Sequence, residues 1–172
     1  MDDIKRFTAV LDRVRAGSVE ALHDAQKVLA FQAQERVMDL TPVGNPDLWK
    51  VNVGTGRVGN ADRVRGDYDY VGQGYVGGHA RRNWQVTISD PADNELDGVD
   101  ADGLTTRLVG QAVIKTAPQF SAIWISNNVP YIERLEHGHS TQSPQGMLEV
   151  TFHDIASTYS SAVGNALRKR RL

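Results

Sequence analysis

The 172-residue sequence contains no cysteine, which removes disulfides, thiolate nucleophiles and cysteine-ligated zinc in one step. Stability must then come from packing, helped by subunit association where that occurs. No stretch approaches the roughly 18 uninterrupted apolar residues of a membrane span. Met1-Asp2-Asp3-Ile4-Lys5 lacks the basic start and apolar run of a secretory signal. A soluble intracellular protein is expected. Charge of one sign is also missing: 19 Lys and Arg against 21 Asp and Glu leave a formal net charge of −2. A general DNA-binding domain carries a basic surplus instead, although a local basic patch remains compatible with this balance.

What is present suits one globular domain. Hydrophobic residues make up 40% and charged residues 23%, inside the ordinary range, and the length suffices for one good core rather than two. Ile4, Phe7, Val10, Leu11 and Val14 recur at three- and four-residue steps, which predicts a helix. Gly17-Ser18 is expected to interrupt it, with Ser18 capping a second helix. That helix carries Leu22, Ala25, Leu29, Ala33, Val37 and Leu40 on one stripe, with His23, Lys27, Gln34 and Glu35 largely on the others. Thr41-Pro42 ends it, because a residue before proline is pushed out of the α region.

Residues 44–78 hold nine of the sixteen glycines and no lasting apolar period. They read as a long extended arm or a surface insertion, in which Tyr68, Tyr70 and Tyr75 could anchor the segment or pair with another subunit. Beyond the arm, Trp84, Val86 and Ile88 alternate with Asn83, Gln85 and Thr87, predicting a half-buried strand over 82–89. An acidic turn from Asp90 to Asp102 leads to a helix over about 104–116, with Leu104, Leu108, Ala112 and Val113 aligned. A second strand is expected over 120–126, central because both its faces are apolar. Pro130 starts a short helix over 131–136 that Gly138 stops. Ser143-Pro144 is expected to cap a final helix over about 144–167, with Leu148, Phe152, Ile155, Tyr159, Ala162 and Ala166 in line. The order predicts an α+β domain spanning 1–172: a small, mostly antiparallel or mixed sheet packed by long N- and C-terminal helices, with the Gly-rich arm inserted.

Nothing compels catalysis. His137-Gly138-His139 has no third ligand at helical spacing, so a surface loop at a helix end is preferred to a zinc site. Asp97, Asp100 and Asp102 with Asn94 and Glu95 miss the fixed register of a calcium loop. Gly54-Thr55-Gly56-Arg57-Val58-Gly59 is followed by no apolar-striped helix, so a dinucleotide site is discounted. Ser121 and Ser140 lack a nucleophile elbow. Glu133 and Glu136 share a helix face, as solvated edges usually do. No catalytic residue, metal or cofactor is expected. Trp84 and Trp124 suit either a core or a subunit boundary. Arg168, Lys169, Arg170 and Arg171 form a basic end that complements the last helix dipole, and a ring could multiply it into a collar facing DNA.

Four segments in order carry a family resemblance. Thr41-Pro42-Val43-Gly44 is similar to the "TPVDTG" segment of a siphophage tail-component family encoded beside head-completion and tail-tube genes. Gly77-Gly78-His79-Ala80-Arg81-Arg82-Asn83-Trp84 resembles its "G-x-x-R-x-N-W" entry to the first strand. Ile123-Trp124-Ile125-Ser126-Asn127-Asn128-Val129-Pro130-Tyr131 resembles its "I-W-I-x-N-N-x-P-Y" strand and turn. Leu135-Glu136-His137-Gly138-His139-Ser140-Thr141-Gln142-Ser143-Pro144-Gln145-Gly146-Met147 matches "L-E-x-G-x-S-x-Q-x-P-x-G-M". The first segment departs from the family, since roughly thirty residues separate Gly44 from Gly77.

The resemblance implies a non-enzymatic virion protein of the head–tail junction, made in the host cytoplasm. It would be a neck or tail completion subunit in a six-fold or twelve-fold ring. Its partners would be copies of itself, a head completion or stopper protein, a tail terminator or tail tube protein, and DNA in the channel, with no membrane. A tail terminator ring is the nearest alternative; a DNA-binding or hydrolytic accessory protein is a more distant one. Residues expected at a subunit or partner boundary are Tyr68, Tyr70, Tyr75, Arg81, Arg82, Glu136, His137, His139 and Gln142.

Overall fold

A computed structural model describes residues 2–44 and 77–170. The expected arm between Gly44 and Gly77, with Tyr68, Tyr70 and Tyr75, and Arg171 of the basic end lie outside the described residues. The elements run α1 (Asp2–Leu40), α2 (His79–Arg82), β1 (Gln85–Ile88), α3 (Leu104–Thr116), β2 (Ile123–Ser126), α4 (Ile132–Glu136) and α5 (Leu148–Lys169). This is a mixed α+β chain with long N- and C-terminal helices. β1 and β2 form a two-stranded antiparallel sheet in which Gln85 faces Ser126 and Ile88 faces Ile123.

The expected break at Gly17-Ser18 does not occur. α1 is one helix, and the Ser18 hydroxyl donates back to the Val14 carbonyl at 2.8 Å inside it. A helical glycine costs only about 1 kcal/mol, and the next turns are held from outside. Ala21 and Ala25 are buried against Ala166, with Ala162, Val163 and Leu167 alongside. Small side chains let the two helix backbones approach closely. α5 runs antiparallel to α1: Arg36 meets Asp154 at 2.6 Å near one end, and Arg170 meets Asp24 at 2.6 Å and Glu20 at 3.3 Å at the other.

A second core lies where α1 ends. Val37, Met38, Trp84 and Met147 are buried together, with Leu40, Ile125, Ile132 and Leu135 packed on them. Val86 faces inward from β1, as its alternation predicts. The strands are shorter than expected. Arg82 closes α2 instead of opening β1, because Asn83 becomes its C-cap and spends its amide on the acidic loop. Phe120 has φ +62°, outside any extended conformation, so β2 starts only at Ile123. Among the described residues β2 has one neighbour and is not central, and its Trp124 is 43% exposed whereas Trp84 is 2% exposed.

α3 occupies its expected span but presents the opposite side inward. Thr106, Gly110 and Ile114 are buried, while Leu104 and Leu108 are each 58% exposed. Gly110 decides this, since a methyl group there would overlap the Gln34 amide and Val86. α1, α3 and β1 meet at that glycine. Gln34, expected on a polar face, is fully buried and donates to the carbonyls of Thr106 and Arg107.

Candidate assembly interface

The four segments that carry the family resemblance converge on one junction. Thr41 ends α1 with its hydroxyl donating to the Val37 carbonyl at 2.5 Å and accepting from the Trp84 indole N–H at 2.6 Å. Arg81 donates to the Thr41 carbonyl at 2.9 Å and to the Ala101 carbonyl at 2.5 Å, tying the end of α1 to the acidic loop. Burial, then the Arg107 cation, lowers the Arg81 pKa, opposed by Asp39, Asp100 and Asp102. Asn127 donates to the Ala80 carbonyl at 2.8 Å, joining the third segment to the second. Gln142 closes the junction from the fourth: its amide donates to the Val43 carbonyl at 2.9 Å and accepts from the Val43 N–H at 3.3 Å.

Glu136 sits at the start of α5. Its carboxylate accepts from the N–H groups of Met147, Leu148 and Glu149 at 2.8 to 3.2 Å. These are orphan donors of a helix N-terminus, where a negative charge is also favoured by the helix dipole. The expected Ser143 cap is not formed: its hydroxyl donates to the Gly146 carbonyl at 2.7 Å in the preceding turn, so α5 begins four residues past Pro144. Gly138 does stop α4, with φ +77°.

Arg81, Glu136 and Gln142 therefore have intramolecular duties. Arg82 is half-buried. His137 and His139 stay exposed, with His137 Nδ1 2.6 Å from the Glu133 carbonyl. The basic end is divided: Arg170 is bound to Glu20 and Asp24, Arg168 donates to Asn165, and Arg168 and Lys169 are exposed. Among the described residues, no group of three or more His, Asp or Glu side chains could hold a metal ion.

The acidic turn is more organised than its composition suggests. Asp100 is buried and accepts from both the Thr106 N–H at 2.7 Å and the Thr106 hydroxyl at 2.6 Å, capping α3. Burial raises its pKa, but these hydrogen bonds outweigh it and the net shift is downward. His79 lies between two acceptors, with Nδ1 2.7 Å from the Gly98 carbonyl and Nε2 2.7 Å from the Glu95 carboxylate. Its pKa is raised, first by the Glu95 hydrogen bond and then by Gly98, against burial.

Large apolar side chains are left uncovered, and sequence patterning alone did not find this. Ile4, Phe7, Val10, Leu11 and Val14 are 46 to 71% exposed, because α5 ends beside Glu20 and Asp24 and, among the described residues, leaves the first turns of α1 unaccompanied. Leu104, Leu108 and Val109 are exposed on α3, and Leu148, Phe152 and Tyr159 on α5. Leu22, His23, Ala25, Gln26, Leu29, Phe120, Tyr159 and Val163 line an open cleft of about 390 Å³ between the long helices. No helix among the described residues is long and apolar enough to cross a membrane.

Comparison with models of known families, with curated proteins and with solved structures returns no match.

Proposed function

We propose that this chain is a structural subunit of the tailed-phage neck, a tail completion or head–tail connector protein acting as one copy in an oligomeric ring. The observation that carries the reading is the meeting of the four resemblance segments around the end of α1, where Arg81 and Trp84 bond Thr41, Asn127 bonds Ala80 and Gln142 bonds Val43. Residues scattered over a hundred positions form one scaffold, which is what an ordered set of segments would encode.

The uncovered apolar faces support the same reading. Isolated soluble monomers rarely expose contiguous apolar patches of this kind unless a partner covers them. The chain works by shape and multivalent contact, without a reacting group, and belongs in the virion. In a closed ring each subunit offers one surface to the next and no interface is left open.

Light scattering on the purified chain, with mass spectrometry of mature virions, tests this. An assembled ring and a fixed copy number per particle are expected. A chain that stays solitary and is missing from virions ends the proposal. A particle reconstruction then separates a neck completion ring from a tail terminator by the rings it touches.

A further inference from the structure

We propose that Asp97-Gly98, in the acidic turn, is a site of spontaneous backbone modification: Asp97 cyclises onto the Gly98 nitrogen and reopens as isoaspartate, which releases the turn from His79. This chemistry does not depend on the ring reading above.

The sequence has two Asp-Gly pairs, Asp97-Gly98 and Asp102-Gly103, both in this turn. In each, a carboxyl carbon can reach a backbone nitrogen whose residue has no Cβ to obstruct the approach. The fold treats the two pairs differently. Asp102 Oδ1 accepts from the Leu104 N–H at 2.9 Å, and the Gly103 N–H donates to the Asp100 carbonyl at 3.2 Å. Gly103 is also buried against Met38, Arg81 and Arg107. Ring closure there would break both hydrogen bonds inside a packed site. Asp97 and Gly98 are exposed, and no atom lies within 4 Å of where a Cβ would stand on Gly98. Among the described residues no hydrogen bond holds the Asp97 carboxyl or the Gly98 N–H. One pair is locked and the other is open.

The reaction needs only water. The Gly98 nitrogen attacks Cγ of the protonated Asp97 carboxyl; an N–Cγ bond forms, a Cγ–O bond breaks, and the hydroxyl leaves as water with the amide proton. Water then opens the cyclic imide at either carbonyl. Opening at the side-chain carbonyl restores aspartate. Opening at the main-chain carbonyl gives isoaspartate, whose chain runs through Cβ and Cγ and whose α-carboxylate is free. One water is lost and one regained.

Asp97 stands between two anchors. The Leu96 N–H donates to the Asn83 amide at 2.6 Å and its carbonyl accepts from the same amide at 3.0 Å, while the Gly98 carbonyl faces His79 Nδ1 at 2.7 Å. Isoaspartate inserts one carbon, about 1.5 Å of main chain, between these anchors. Hydrogen bonds do not survive a displacement of that size. Asn83 is fully buried and holds Leu96 twice, so the exposed Gly98–His79 contact yields.

The intact chain, aged for weeks in neutral buffer, is digested with a protease that cuts before aspartate and not before isoaspartate, and isoaspartate is located by electron-transfer fragmentation. A second sample is aged in urea. Relative to the urea sample, isoaspartate in the folded chain is expected at least tenfold higher at residue 97 than at residue 102. Asp97→Glu, which keeps the charge and would need a larger ring, should accumulate none at that position. A second His79 ring signal should appear by NMR in proportion to isoaspartate, and be missing from the aged Asp97→Glu chain. Equal levels at the two residues, or none at residue 97, overturns the site. A His79 signal unmoved by substantial isoaspartate overturns the release.

Discussion

The indole N–H of Trp84 donates to the Thr41 hydroxyl at 2.6 Å, and both residues are at least 98% buried. The bond fixes the end of α1 against the entry to β1, across 43 positions of sequence. Thr41→Val keeps the shape and removes the acceptor, stranding a buried donor. Such a loss costs about 1–3 kcal/mol. Urea denaturation should show it as a lower midpoint with an unchanged slope. A midpoint equal to wild type would mean the indole finds another acceptor.

Glu136 predicts a second effect. Its carboxylate serves three N–H groups at the start of α5 from eleven to thirteen residues upstream. Glu136→Ala should cost about 2 kcal/mol and Glu136→Gln about 1 kcal/mol, since the amide keeps one acceptor and loses the charge. Amide hydrogen exchange should localise the loss to the first turn of α5. Uniform loss of protection across the chain would point to a general packing defect instead.

These contacts mark the limit of what the sequence discloses. α3 was legible in its bounds, because the acidic turn and Pro118 punctuate it locally. Its inward face was not, since Leu104 and Leu108 look like core and Gly110 looks like a flaw. A glycine opposite a buried Gln34 reverses that reading, and only the tertiary arrangement puts them together. The break expected at Gly17-Ser18 failed for a related reason: local propensity is weaker than the alanine seam packed on α5. Gly138 was readable because a left-handed residue after a helix is a local need. Glu136 was read as an outward-facing residue because its capping partners begin eleven positions away, outside any local capping pattern.

Gly110→Ala tests the close approach of α1, α3 and β1. The added methyl must displace the Gln34 amide, which donates to two carbonyls, or Val86 in the core. Overpacking of this kind costs about 1–3 kcal/mol. Adding Gln34→Ala to the same chain makes room for the methyl, so the double variant should lose less than the sum of its parts. Strict additivity would show that the two residues do not compete for the space.

His79 is expected to give the chain a pH dependence above 6.5. A neutral imidazole has one N–H, yet both ring nitrogens face acceptors, the Gly98 carbonyl and the Glu95 carboxylate. The cation satisfies both, and these hydrogen bonds, Glu95 first, raise the pKa above 6.5 against burial, with Asp97 adding to the pull. A folded-state pKa raised above the unfolded value gives stabilisation that is complete below 6.5 and lost as pH climbs through the raised value. As pH rises from 6.5 through the raised value the wild-type chain should lose stability, and His79→Gln should lack that component. The His79 ring titration followed by NMR should have its midpoint above 6.5 and move down in Glu95→Gln. A midpoint at or below 6.5, or one that ignores Glu95→Gln, would remove this clasp as the source of any pH response.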